Sequence, residues 1–151
     1  MRGMHEFEFD CVWDEQKCRK LTIDDNGKVV RAQYGCGNQI ARAKMITDNT
    51  GILEWDVIIE KAGDYSWVGV CDDRGTIWAL FSDGNCYREA SVSYCRPFKM
   101  TKITVHLNLS KKTLAFTVNG TRFPEVPGWN NLPSRLRLAA GLSYPGRVRK
   151  T

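Results

Sequence analysis

The chain has 151 residues and a formal net charge of +5, with 42% hydrophobic and 26% charged residues. This composition is ordinary for a soluble globular domain, and the length suffices for one domain with a buried core. No apolar run approaches the roughly 20 residues that cross a bilayer, so no membrane segment is expected. The moderate positive charge permits an acidic partner without requiring one.

The N-terminal residues and the cysteines of the chain indicate its expected cellular compartment. Residues 1–6 are polar, carry no apolar core of a secretion signal, and are expected to be a flexible N-terminus or an expression remnant. Residues 7–149 are expected to form one domain. Six cysteines could pair, but a chain of this size without an export signal favours reduced thiols in the cytoplasm or nucleus. The closest two, Cys11 and Cys18, are too far apart for a usual zinc motif, so no metal or other cofactor is expected.

Apolar and polar residues alternate along most of the chain, which is typical of half-buried β-strands. Turn residues interrupt the alternation about every 8–12 positions, and no apolar run keeps a helical period for three turns. The pattern predicts an antiparallel β-sandwich or barrel. In chain order, the predicted strands are 7–13, 21–23, 28–32, 41–47, 53–61, 65–72, 77–81, 86–87, 91–95, 103–109, 114–118, 121–123, 136–142 and 146–149.

Two pairs of these strands are predicted to form hairpins. Between 53–61 and 65–72 stands only the link 62–64, which contains a glycine, so the two are predicted to pair with each other. The second hairpin joins 103–109 to 114–118. Asn119-Gly120 is then predicted to make a tight turn with positive φ at both positions. The residues expected in the core of these strands are Trp13, Trp55, Trp67, Phe116 and Val118.

Four motifs, in this order, resemble the SPRY (PRY-SPRY) domain family. They are the hairpin 21–30, the Gly-x-x-x-Trp-acid-Val strand 51–57, Val68-Gly69-Val70, and the Thr-Leu-x-Phe-x-x-Asn-Gly segment 113–120, with the closing strands 136–149 after them. The sequence departs from the family pattern at three places that concern loop detail: Thr101-Lys102 replaces Gly-Asp, Asn108 replaces an acid, and a proline is absent near Ala139.

The resemblance implies a bent two-sheet antiparallel β-sandwich of the concanavalin-like SPRY type. Members of this family mostly bind a short peptide or a protein surface through loops at one edge. They often select targets for ubiquitin ligases and other assemblies. The chain is therefore expected to be a non-catalytic, monomeric recognition module for a protein or peptide.

The aromatic candidates for the partner-binding site lie on predicted loops or at the start of the strand that follows one. The resemblance places ligand-contacting aromatic residues near Trp78 and Tyr144, and Tyr34 follows the N-terminal hairpin. Aromatic side chains often dominate binding energy at interfaces. The alternatives are that Trp78 is a core residue of its strand and that Tyr144 is a hydrogen-bonded corner.

The charged candidates lie on the same loops or at the end of the strand that precedes one. Arg31 and Arg74 would supply charge-assisted hydrogen bonds, and Asp73 would accept hydrogen bonds from backbone or asparagine groups. The alternative for all three is an ordinary solvated loop charge.

Other classes of function have weaker support. The run Glu54-x-Asp56-x-x-x-Glu60 resembles a glycosidase motif, but its outer acids are roughly 20 Å apart on a strand, too far for one glycosidic bond. The basic C-terminal residues alternate with core residues, so no nucleic acid is expected.

The alternative function is carbohydrate binding by a lectin-like sandwich, whose sites often use Ca²⁺ held by acids. In this chain the carboxylates that hold Ca²⁺ would have to come from the acid pairs Asp24-Asp25 and Asp72-Asp73.

Overall fold

The structure is a computed structural model, and it describes residues 20–35, 37–44, 47, 51–88 and 91–151. The predicted first strand, 7–13, and its Trp13 lie outside the described residues. No helix in the described part of the chain is long and apolar enough to cross a membrane. The strands are β1 (Leu21–Asp24), β2 (Val29–Ala32), β3 (Gln39–Arg42), β4 (Ile52–Lys61), β5 (Ser66–Cys71), β6 (Ile77–Phe81), β7 (Asn85–Tyr87), β8 (Ser91–Ser93), β9 (Lys102–Asn108), β10 (Thr113–Val118), β11 (Thr121–Arg122), β12 (Arg137–Leu142) and β13 (Arg147–Lys150).

These strands form two antiparallel sheets packed face to face. Sheet 1 has the order β1-β2-β13-β4-β9-β10-β11, and sheet 2 has the order β3-β12-β5-β6-β7-β8. The predicted antiparallel β-sandwich is confirmed. Strand pairs such as β2 and β13 are far apart in sequence yet adjacent in sheet 1, so completing the sheets requires contacts between distant parts of the chain.

The main core lies between the two sheets. Trp55, Val57 and Ile59 of β4 are at most 2% exposed, and they pack in one cluster with Val68 and Val70 of β5. The predicted core residues Phe116 and Val118 belong to the same cluster. Period-two alternation in β4 therefore does place one side of that strand in the interior.

Trp67 is buried as predicted, but it lies on the other face of β5. It forms a second cluster with Cys71, Ala79 and Ala139, against which Phe81 packs. Its indole N–H donates to the Tyr65 hydroxyl at 2.8 Å. Because β5 packs apolar residues on both faces, every one of its positions is buried.

The predicted pairing of 53–61 with 65–72 is wrong. β4 pairs with β13 and β9 in sheet 1, whereas β5 pairs with β12 and β6 in sheet 2. The link 62–65 is a corner between sheets, which lets both strands bury their apolar sides in the same core from opposite directions. Gly63 has no room for a side chain there, since a Cβ would lie 2.4 Å from the Ser143 carbonyl oxygen.

The other hairpin prediction is confirmed. β9 and β10 are antiparallel, with Ile103 opposite Val118. Asn119 and Gly120 have φ values of 49° and 86°, as their tight turn requires.

The predicted strand 41–47 is displaced toward the N-terminus. The observed strand begins at Gln39, where Gln39 and Ile40 pair with the end of β12, and it ends at Arg42. The alternation of apolar and polar residues did not predict that the strand begins at Gln39, because Ile40 is apolar but exposed at the edge of the sheet.

Gly69 of β5 lies directly against the backbone of β6, and its substitution tests the packing of sheet 2. A Cβ there would lie 2.0 Å from the Trp78 carbonyl oxygen and 2.8 Å from the Ala79 Cα, both of them backbone atoms. Gly69→Ala is expected to lower the free energy of unfolding by about 1–3 kcal/mol, because backbone must move to accept the methyl group. Urea unfolding followed by tryptophan fluorescence measures the change.

Gly37→Ala is the matched control, since a Cβ at Gly37 would meet nothing within 4 Å. It should leave the free energy of unfolding unchanged or raise it by up to about 1 kcal/mol by restricting the unfolded chain. Equal stability of the two variants would contradict the close approach of β5 and β6.

Candidate functional site

The predicted site residues separate into groups near opposite ends of β12. The strand from Arg137 to Leu142 is roughly 17 Å long at about 3.4 Å per residue. Tyr34 and Tyr144 lie beyond its Leu142 end, whereas the β5–β6 loop and Trp78 lie toward its Arg137 end. The structure therefore does not bring Trp78 and Tyr144 into one pocket.

Tyr34 and Tyr144 form an exposed aromatic pair. Their ring centroids are 5.2 Å apart in an edge-to-face arrangement, and the residues are 87% and 47% exposed. Tyr34 is on the β2–β3 loop and Tyr144 on the β12–β13 loop. A backbone hydrogen bond from Ala32 N–H to the Gly146 carbonyl, 2.9 Å long, joins the bases of these loops. The pair is therefore held from both sheets.

Tyr144 also lines a groove of about 620 Å³, here called the rim groove. The groove is bordered by the β4–β5 corner, the β6–β7 turn, the segment before β9 and the β12–β13 loop. Most of these segments carry the chain from one sheet to the other, so the groove lies at an edge of the sandwich. Its lining includes Asp64, Asp83, Phe98, Lys99 and Tyr144.

Hydrogen bonds fix the polar and apolar walls of the rim groove. The Asp83 carboxylate accepts the Asn85 N–H and the Tyr87 hydroxyl, both at 2.9 Å. The Phe98 N–H donates to the Ser82 carbonyl at 2.8 Å. The groove thus has a preformed lining with apolar surface, two carboxylates and one ammonium group.

A second groove of about 550 Å³ lies on the other side of Pro97 and Phe98, which line both. Its wall includes Tyr94, whose hydroxyl donates to the Pro124 carbonyl at 2.7 Å and accepts the Phe116 N–H at 3.0 Å. Burial raises the pKa of Tyr94, which keeps the hydroxyl neutral. The sequence prediction missed both grooves; the only local signal was Pro97 interrupting the strand pattern.

Asp73, Arg74 and Trp78 belong to the β5–β6 region. Asp73 pairs with Arg135 at 3.4 Å, and Arg74 is exposed. Trp78 is half-buried against the main core, and the Arg88 guanidinium carbon lies 5.3 Å from the centroid of its ring. Trp78 therefore has both core contacts and a cation over one ring face.

Arg31 lies on the outer face of sheet 1. Its Nε donates to Asp24 at 2.6 Å, and it stands opposite Arg147 in the strand register. Arg147 in turn pairs with Glu60 at 2.9 Å. Arg31 is thus part of an ion-paired sheet face rather than of the rim groove lining.

The acids of the suspected glycosidase run have cross-strand partners. Asp56 accepts the Thr104 hydroxyl at 2.6 Å, and Glu60 pairs with Arg149 at 2.9 Å. Glu54 lies 2.7 Å from Nδ1 of His106, a contact the sequence did not indicate. These carboxylates stabilise the outer face of sheet 1.

His106 also lies 2.6 Å from the Thr117 hydroxyl through Nε2, giving the acid–imidazole–hydroxyl order found in some hydrolases. His106 is only 9% exposed. It lies in β9, which pairs with β4 on one side and β10 on the other, so the surrounding backbone N–H groups are used in the sheet. They are not free to stabilise an oxyanion, and the arrangement serves as a polar link between three strands.

The described cysteines Cys71, Cys86 and Cys95 are free thiols of low expected reactivity. Burial raises the pKa of all three, to about 12 for Cys86. A high pKa leaves little thiolate near neutral pH, and thiolate is the nucleophile. The described residues contain no group of three or more His, Cys, Asp or Glu side chains that could hold a metal ion.

Comparison of the sequence with protein-family models and with curated proteins gives no match. Among solved structures, the SPRY domain of human HERC1 is 18% identical, with a TM-score of 0.77, and the match covers 91% of this chain and 96% of that one. A further human SPRY domain is 16% identical, with a TM-score of 0.67 and coverage of 88% and 95%. The chain therefore has the SPRY-domain fold, as the sequence motifs predicted.

The raised thiol pKa values predict slow alkylation of the native protein. With iodoacetamide at pH 7.5, Cys95 should react slowly and the buried Cys71 and Cys86 should not react detectably. Because burial raises the Cys95 pKa, its rate should still be rising at pH 9, without a plateau. Peptide mapping by mass spectrometry after timed quenching measures each site.

The same reaction in guanidinium chloride is the control, since unfolding removes the burial that raises the three pKa values. All three cysteines should then react at similar rates. Rapid modification of Cys86 in the native protein would contradict its burial.

Proposed function

We propose that the chain is a non-catalytic module that recognises a short peptide or protein surface at the rim groove. The observation that carries this proposal is the exposed Tyr34–Tyr144 pair beside a preformed groove at the edge of the sandwich. Isolated exposed aromatic residues need no explanation, but two in contact at a groove are typical of a binding surface. The SPRY-domain fold supports the same function, because the family resemblance implies binding through edge loops.

The tyrosine rings would supply most of the apolar contact with the partner. Tyrosine gives a large contact area with few rotatable bonds, so little entropy is lost on binding. Asp64 and Asp83 would accept hydrogen bonds from backbone N–H groups or from side-chain donors of the ligand. Lys99 would donate to a carbonyl or carboxylate.

The loops bordering the groove are tied to the sheets, which favours rigid recognition over folding on binding. Gly63 packs against Ser143, and the Phe98 N–H is hydrogen-bonded to the Ser82 carbonyl. A surface that is already ordered loses less conformational freedom when the partner binds. Affinity would then depend on the fit of the side chains at the groove.

We place this module in a reducing compartment, the cytoplasm or nucleus, as a monomer. The free thiols of Cys71, Cys86 and Cys95 support that placement. Its role there would be to select targets for a ubiquitin ligase or another multi-protein assembly.

Carbohydrate binding has less support, because the acid pairs considered for calcium have other partners. Asp24 pairs with Arg31 and Asp25 with Arg149. Asp72 accepts hydrogen bonds within its own loop, and Asp73 pairs with Arg135. Guanidinium groups in these places oppose the binding of a divalent cation.

Substitution of both tyrosines tests the proposed site. Peptides selected from a random 12-residue display library against the wild-type protein should bind Tyr34→Ala/Tyr144→Ala at least about tenfold more weakly, because the double variant removes the two aromatic anchors. Isothermal titration calorimetry with the purified peptides measures the loss. Both side chains are exposed, so the thermal unfolding midpoint should change little.

Ile52→Ala is the control, since Ile52 is an exposed apolar residue, 59% exposed, at the start of β4. It should leave peptide affinity within about twofold of wild type. The proposal fails if the selected peptides bind the tyrosine variant and wild type equally.

A further inference from the structure

We propose that the Arg137 end of sheet 2 is a second docking surface, which binds an acidic segment of a partner protein. This surface, called the basic end, comprises five cationic residues, Arg42, Lys44, Arg74, Arg135 and Arg137. They come from the end of β3, the β5–β6 loop and the start of β12. The two carboxylates of the same loop, Asp72 and Asp73, do not balance them, so the described part of this end is positively charged.

Strand register brings these cations together. Arg137 stands opposite Cys71, the last residue of β5, and Arg42 stands opposite Ala139 of the same strand β12. Both guanidinium groups lie close enough to Cys71 to act on its thiol: they lower its pKa, against the larger effect of burial, which raises it. Two strands and one loop therefore present positive charge over a small area.

Hydrogen bonds hold the β5–β6 loop in a fixed shape. The Asp72 carboxylate accepts the N–H groups of Arg74 at 3.0 Å and Thr76 at 2.9 Å. The Asp72 N–H also donates to the Thr76 carbonyl, and Gly75 has a φ of 89°, which suits glycine. Arg74 is thus presented on a preformed turn, which reduces the entropy lost when it binds a ligand.

Arg137 is also held in place. Its Nη1 donates to the carbonyl oxygens of Ala43 at 3.1 Å and Lys44 at 2.9 Å. These bonds join the end of β3 to the start of β12 and fix the backbone that carries Lys44. The ends of the two strands that carry these cations are therefore held together.

The acids at this end are weak competitors for a ligand. Asp73 pairs with Arg135 at 3.4 Å, and the two side chains are 55% and 58% exposed. Exposed pairs of this kind contribute little to stability, so an incoming carboxylate can replace Asp73 at Arg135. Asp72 uses one carboxylate oxygen within the loop.

The arginines on the outer face of sheet 1 differ from those of the basic end, because they are paired with acids. There Arg31 pairs with Asp24, while Arg147 and Arg149 share Glu60. Arg149 also pairs with Asp25. On that face the arginines are paired with acids, whereas the described residues of the basic end carry an excess of positive charge.

The chemistry favours an acidic peptide over a nucleic acid. Arginine side chains bind carboxylates through paired hydrogen bonds. Single-stranded nucleic acid binding normally adds open aromatic faces on which bases stack. Trp78, which lies toward this end, is half-buried and has Arg88 over its ring.

The basic end lies at the opposite end of β12 from Tyr144, so this inference does not depend on the rim groove. A partner with an acidic segment and a second segment for the rim groove could occupy both surfaces at once. Linking the two contacts would raise its overall affinity without any new contact.

Charge reversal of two exposed arginines tests the proposal. A fluorescein-labelled peptide of eight glutamates should bind wild-type protein at 50 mM NaCl, with affinity that falls as salt increases. Arg74→Glu/Arg135→Glu should weaken binding by about tenfold or more. The neutral pair Arg74→Gln/Arg135→Gln should give a smaller loss. Fluorescence anisotropy measures affinity, and circular dichroism establishes that each variant is folded.

The matched control reverses two exposed cations of the β9–β11 region, Lys111→Glu/Arg122→Glu, which changes the net charge equally. It should weaken binding by less than about threefold, and Tyr34→Ala/Tyr144→Ala should not weaken it. The proposal is overturned if wild type does not bind the peptide, or if the control loses as much affinity as the test variant. It is also overturned if a 12-nucleotide single-stranded DNA binds the basic end more tightly than the peptide.

Discussion

The corner between β4 and β5 is the constraint on which the rest of the structure depends. It moves the chain from sheet 1 to sheet 2, so that Trp55 and Ile59 pack toward Val68 across one core. At the corner, Gly63 lies directly against Ser143, the residue before Tyr144. The packing that closes the sandwich therefore also positions the β12–β13 loop and one wall of the rim groove.

The two faces of each sheet have different roles in this molecule. The inner faces supply the shared core, while the outer face of sheet 1 is held by polar links between strands, among them Glu54–His106–Thr117. The outer face of sheet 2 buries Trp67 and its neighbours. The middle of each sheet thus serves stability, and the two proposed recognition surfaces lie at strand ends and in loops.

β12 connects the two proposed surfaces while keeping them apart. It pairs with both β3 and β5, so neither of its ends can move without disturbing sheet 2. The Leu142 end leads to an aromatic pair beside a groove, and the Arg137 end leads to a surface where cations outnumber acids among the described residues. These surfaces differ in chemistry, and because β12 is paired on both sides, each would bind its partner without reshaping the other.

Local patterns in the sequence determined a large part of the fold of this protein. Alternation predicted the β9–β10 hairpin, Asn119-Gly120 predicted its following turn, and the spaced motifs predicted the SPRY fold. Only the tertiary structure decided that β4 and β5 belong to different sheets, because a period of two records that one side of a strand is buried and not which strand lies beside it. The same limit applies to Tyr34 and Tyr144, whose contact depends on loops that are over one hundred residues apart and meet only when the sandwich closes.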